Sequence, residues 1–152
     1  SRVQKGGEHV SSIRAFDRAQ EAFNLAKKQA VQEKVITFVM LKPKAGPYPL
    51  EIRFDYPGRI SRVYASCTSA GSDQTVMQLE KCSQSDYDTT PVWTNVFASD
   101  LVLDANERST ATSSSPYVLA DDQVNEGDHF RISFAEVGGG IGTVTVNVAV
   151  EI

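Results

Sequence analysis

The sequence predicts a mainly β protein: an antiparallel β-sandwich, jelly-roll-like in topology, preceded by one N-terminal α-helix. Three observations carry this. Apolar residues recur at helical spacing as far as Lys34 and at strand spacing from Val35 onward. Turn-forming clusters then interrupt the chain about every ten to fifteen residues, which yields roughly eight or nine short strands and almost no second helix. Charge divides at the same place: residues 1–34 carry seven Lys and Arg against four acids, a formal +3, and the remainder carries −7 because the whole chain is −4. The expected organisation is therefore a basic arm and helix over 1–34 and a β-sandwich domain over 35–152.

The tip contains Gly6 and Gly7 and has no apolar period. Ser11 and Ser12 supply side-chain oxygens for the first free amides of a helix, predicted from about Ser12 to Lys34. Within it Phe16, Phe23 and Ala30 are seven apart, with Ala19 and Ala26 in the intervening seam. So narrow a stripe suits packing of helix on helix, and the competing reading is a single helix lying across its own β-domain.

Val35 to Leu41 is apolar and β-branched and reads as the first strand, broken by the prolines and Gly46 between Lys42 and Pro49. Leu50 to Phe54 alternates, Asp55-Tyr56-Pro57-Gly58 turns, and Ile60 to Cys67 alternates again, the pattern of a hairpin. Thr75 to Lys81 is another strand, followed by a polar loop from Ser83 to Thr90. Val92, Trp93, Val96 and Phe97 are expected in one core, Leu101 to Leu103 forms a short strand, and 104–115 is a polar loop. Tyr117 to Leu119 is short, and Glu126-Gly127-Asp128 is a turn whose glycine takes positive φ. Phe130, Ile132 and Phe134 alternate with His129, Arg131 and Ser133, and after a Gly-rich turn Val144 to Ile152 alternates too, which predicts a closing antiparallel pair.

Catalytic patterns are missing. Neither GxSxG, HExxH, a Gly-rich phosphate loop nor paired CxxC occurs, and the two histidines fall in the tip (His9) and on the outward phase of a strand (His129). Cys67 and Cys82 read as reduced, partly buried small residues rather than a metal site or disulfide framework, with a Cys67–Cys82 bridge the alternative if their strands pair. Acids cluster at Asp121, Asp122, Glu126 and Asp128 and at Asp104 and Glu107, without an EF-hand spacing, so they read as turn formers. Tyr48, Tyr56, Tyr64, Tyr87 and Tyr117 offer flat faces of the kind that stack on sugars or pack in strands and turns. A pI near 5.1 and the interleaved acids of the arm argue against nucleic acid, and the lack of an 18-residue apolar run predicts neither a membrane span nor an export signal. No enzyme activity, cofactor or metal is expected. The basic arm is expected to dock on an acidic protein surface through Arg2, Lys5, Arg14 and Arg18, to bundle through Phe16, Ala19, Phe23, Ala26 and Ala30, or to do both.

The segment Trp93-Thr-Asn-Val-Phe97, the polar Asn106-Glu-Arg-Ser109, Val124-Asn-Glu-Gly-Asp128 entering a strand, the Gly-rich turn and the closing Thr143-Val-Thr-Val146 together resemble small jelly-roll virion proteins of tailed bacteriophages, of the head-fibre and capsid decoration or cement type. The resemblance covers roughly residues 45–152. It implies a β-sandwich in the virion, a homotrimer, an arm anchored on the major capsid protein or another virion protein, and no catalysis. The alternative it leaves is a carbohydrate- or receptor-binding tip module of a phage tail or fibre, with a host-surface glycan as ligand.

Overall fold

A computed structural model describes residues 14–22 and 32–152. The chain divides into two units, Ser1–Gln32 and Glu33–Ile152. In the first, residues 14–22 form helix α1. The second is built from β1 (Glu33–Met40), β2 (Gly46–Pro47), β3 (Ile52–Arg53), β4 (Gly58–Cys67), β5 (Thr75–Cys82), helix α2 (Gln84–Asp88), β6 (Thr94–Asn95), β7 (Phe97–Ser99), β8 (Leu101–Leu103), β9 (Val118–Leu119), β10 (Gln123–Val124), β11 (His129–Glu136) and β12 (Val144–Glu151).

Sheet A has the order β1-β12-β4-β10, and sheet B runs β2-β11-β5-β6, with β3 also on β11 and β8 also on β5. First pairs with last, β1 with β12; β2 and β3 pair with β11; β4 pairs with β10; β5 pairs with β6 and β8. This nesting of antiparallel pairs is one long hairpin rolled into two sheets, the jelly roll the sequence predicts. A small third sheet joins β7 to β9.

Alternation places the core. In β1, Ile36, Phe38 and Met40 point inward while Val35, Thr37 and Val39 point out; in β12, Val144, Val146 and Val148 point inward. Sheet B answers with Met77 and Leu79 from β5 and Phe130, Ile132 and Phe134 from β11. Burying each such side chain contributes about 1.5–3 kcal/mol, so the two inner faces hold the sandwich together. Gly127 takes the expected positive φ, +88°. Gly138 is needed for a different reason: a Cβ there would collide with the Asp73 carbonyl where the β11–β12 connection passes close to β5.

Several expectations are corrected. Helix does not reach Lys34, because Glu33 and Lys34 already pair with Glu151 and Val150. Residues 50–54 and 60–67 are not a hairpin: β3 lies in sheet B and β4 in sheet A, and the Asp55–Pro57 stretch crosses between sheets. The final two strands are not paired either, since β11 sits on β5 and β12 sits between β1 and β4. Period two reports which face is buried and carries nothing about which strand is adjacent. Ile152 falls beyond β12 and is exposed.

Candidate functional site

The described part of the arm is α1, and all nine of its residues are exposed. Arg14, Phe16, Arg18 and Ala19 lie there, with Phe16 70% exposed. Arg2, Lys5, Phe23, Ala26 and Ala30 lie outside the described residues, so of the expected seam the structure places Phe16 and Ala19, and of the expected docking cations Arg14 and Arg18.

A second candidate, not foreseen in the sequence, covers the outer face of sheet B. Opposed residues of an antiparallel pair share a face, so His129 stands beside Cys82 and Arg53, and Arg131 beside Glu80. Ser83 caps α2 by accepting from the Asp86 amide, and this turn of helix sets the Tyr87 ring flat on the His129 imidazole, 3.7 Å between centroids at 5°. Trp93 meets Tyr87 edge-on at 6.1 Å, and the Arg131 guanidinium lies 4.3 Å above the Trp93 ring while bonding Glu80 at 2.8 Å. The Tyr87 hydroxyl donates to Glu51 at 2.7 Å, and chiefly this bond raises its pKa above the usual phenol value. His129 keeps the outward phase expected of it and is nevertheless buried, and its Nδ1 has no hydrogen-bond partner among the described residues. Trp93 is half-buried on the surface and Val92 exposed, so of the four residues expected in the core only Val96 and Phe97 enter it.

This arrangement closes a sheet face rather than presenting a nucleophile. Cys82 neighbours an imidazole but is 1% exposed and donates to the Ser83 carbonyl at 3.5 Å. The sequence signal was available: Ser83-Gln84-Ser85-Asp86 fits a helix-start pattern of Ser or Thr followed three residues later by an acid.

The outer face of sheet A is different. Val35, Val39 and Tyr64 are exposed on it, and a shallow depression of about 300 Å³ runs between Val35, Arg62, Tyr64, Asn147 and Ala149. Its β4 margin is covered amide by amide: the Ile60 amide donates to the Asp122 carbonyl, Val63 to the Tyr117 hydroxyl, Ala65 to the Thr110 hydroxyl and Cys67 to the Arg108 carbonyl. The polar loop 104–115 thus flanks β4, with Ser109 bridging Ser66. At the opposite margin, β1 pairs only with β12 among the described strands.

The remaining candidates resolve individually. Asp121 accepts from Lys81 at 2.7 Å, Asp122 faces Arg59 at 3.7 Å, and Asp128 accepts from the Asn125 amide at 2.8 Å; no cluster of three metal-binding side chains occurs among the described residues. A groove of about 960 Å³ at one end includes Asp73, Asp104 and Glu136, where Asp104 accepts from the Ser114 amide and hydroxyl and Glu136 accepts from Gln74. Cys67 and Cys82 are free and buried, in different sheets, and burial is the main cause of the raised Cys67 pKa. The five tyrosines do not form one platform. The Tyr48 and Tyr117 hydroxyls accept from the Leu41 and Val63 amides, Tyr87 covers His129, and Lys34 lies over Tyr56 at 4.6 Å.

No family model and no curated protein matches this chain. Among solved structures, a chain of turnip yellow mosaic virus is similar over 81% of each chain, with a TM-score of 0.23 and 8% identity. A likeness at that level carries no weight for fold or role.

Proposed function

We propose that this chain is a structural virion protein, a capsid decoration or head-fibre subunit of a bacteriophage, that displays a jelly roll and attaches through its N-terminal arm without catalysing a reaction. The observation that carries this is Phe16: a large aromatic side chain 70% exposed on a helix whose described residues are all exposed. A ring exposed at a heptad position is one that a second helix would cover. With Ala19 beside it in the heptad, that partner is the same helix of other copies, and a homotrimer is the assembly we expect. Arg14 and Arg18 then face the major capsid protein or another virion protein. The tip-module alternative has less support, because the tyrosines that were to contact a glycan are dispersed and mostly engaged.

Light scattering on the full chain tests the assembly. Wild type is expected at three times the monomer mass, and Phe16→Asp at a lower mass, because a carboxylate placed in a dry seam loses its hydration. An unchanged mass removes α1 from the assembly. Arg14→Glu with Arg18→Glu should weaken retention on capsids lacking the protein, and added salt should weaken retention of the wild type in the same way.

A further inference from the structure

The two margins of sheet A are finished differently. Four amides along β4 are met by Asp122, Tyr117, Thr110 and Arg108 from the chain itself. Along β1, eight residues long and in unbroken register with β12, Leu41 just beyond the strand is the first amide so met among the described residues, by the Tyr48 hydroxyl. Between Val35 and Leu41 the strand carries none of the devices that keep sheet edges apart: no proline, no charge and no bulge.

We propose that β1 pairs antiparallel with β1 of a second copy, about a twofold axis at Thr37. A twofold contact requires a self-complementary surface, and Val35-Ile-Thr-Phe-Val39 reads nearly the same in both directions. Face parity selects the register. Centred on Thr37, the outward Val35 of one copy opposes the outward Val39 of the other, and inward Ile36 opposes inward Phe38. A slip of one residue sets inward side chains against outward ones. Centring on Phe38 leaves only residues 36–40 paired, because the chain bends after Met40 and Lys42 takes a positive φ, +47°, and centring on Ile36 sets Glu33 against Val39. The Thr37 register instead pairs residues 34–40 of the two copies, while Glu33 keeps its ion pair with Arg62 at 3.0 Å. It also joins two sheets A into one, with the valines of both copies contiguous on its outer face. The contact does not depend on α1; if α1 holds three copies together, the β1 axis links one trimer to the next.

Crosslinking the full chain tests the register directly. Opposed Cα atoms in an antiparallel pair lie about 4.5–5.5 Å apart, within the range a disulfide spans, and Cys67 and Cys82 are buried and do not compete. Thr37→Cys should form a covalent dimer under mild oxidation, whereas Val118→Cys, exposed elsewhere on the domain, should not. Equal yields from the two variants overturn the proposal. Sedimentation in the Phe16→Asp background supplies the second arm. Val35→Lys with Val39→Glu places opposite charges across the axis, and Val35→Lys with Val39→Lys places like charges, so the first should associate about tenfold more tightly. Equal association of the two doubles, as expected if a strand of another protein covers β1, overturns it as well. A change caused by Phe16→Asp alone reports on α1 and leaves this contact standing.

Discussion

The two sheets present equivalent inner faces and opposite outer ones. Sheet A offers Phe38, Met40, Val144 and Val146 to the core, and sheet B offers Phe130, Ile132, Phe134 and Leu79, each at 1% exposure or less. On the outside, sheet B is roofed by its own chain: α2 carries Tyr87 onto His129, and Trp93, Arg131, Glu80 and Glu51 bind one another across the strands. Sheet A has no such roof among the described residues; Val35 and Val39 are each about half exposed. Equal needs inside and unequal finish outside mean that folding explains the inner faces and part of the outer ones. What the fold leaves uncovered among the described residues is the pair of valines on the exterior of β1, beside Arg62 and Asn147.

Equivalence of the inner faces is the part of this comparison most open to a decisive test. Phe38→Ala and Phe130→Ala each remove a fully buried ring from one of the two sheets, and each should cost about 3–5 kcal/mol in urea unfolding. Val39→Thr, on the same strand as Phe38 but facing out, should change monomer stability by about 0.5 kcal/mol or less. If one Phe variant proved nearly silent, the sandwich would have one structural sheet and one dispensable sheet. Sheet B's roof is tested next. Tyr87→Ala should lower the melting temperature less than either Phe variant, yet make Cys82, the cross-strand neighbour of His129, react much faster with a thiol reagent while Cys67 stays slow. Unchanged Cys82 reactivity would mean that the strands alone, not α2, bury it.

Inner faces were also what the sequence made legible. Val144 to Val150 and Phe130 to Phe134 announce themselves because a buried face imposes period two on every residue. Adjacency was not legible, and both misread hairpins have one cause: in a jelly roll consecutive long strands fall in opposite sheets, so proximity along the chain misleads about pairing. The phase of β11 puts His129 outward, but the ring that covers it comes from a helix 42 positions earlier in the chain, and no local pattern encodes that contact. In the candidate arm the heptad spacing of Phe16 was visible and its exposure is now described, while Phe23, Ala26 and Ala30 lie outside the described residues. The β1 edge was readable as a strand, yet its meaning needed the sheet order, since the same seven residues in a central strand would be unremarkable.

A smaller effect probes how the unlike sheets are tied at one corner. Lys81 of sheet B reaches across to Asp121 and to the Gln123 carbonyl of β10 in sheet A, both at 2.7 Å. The Lys81 bond is the largest influence on Asp121 and lowers its pKa below the usual 3.8, with partial burial opposing. A carboxyl whose folded pKa is depressed adds stability above its unfolded value, and that contribution disappears as the pH falls through the lower folded value. Because Asp121 is half exposed, solvent screening limits the pair to about 1 kcal/mol or less. Asp121→Asn should therefore be slightly less stable than wild type at neutral pH, and the two curves should converge as the pH drops below about 3.8. A gap that persisted at the acid end would assign the loss to packing at this corner and not to the charge pair.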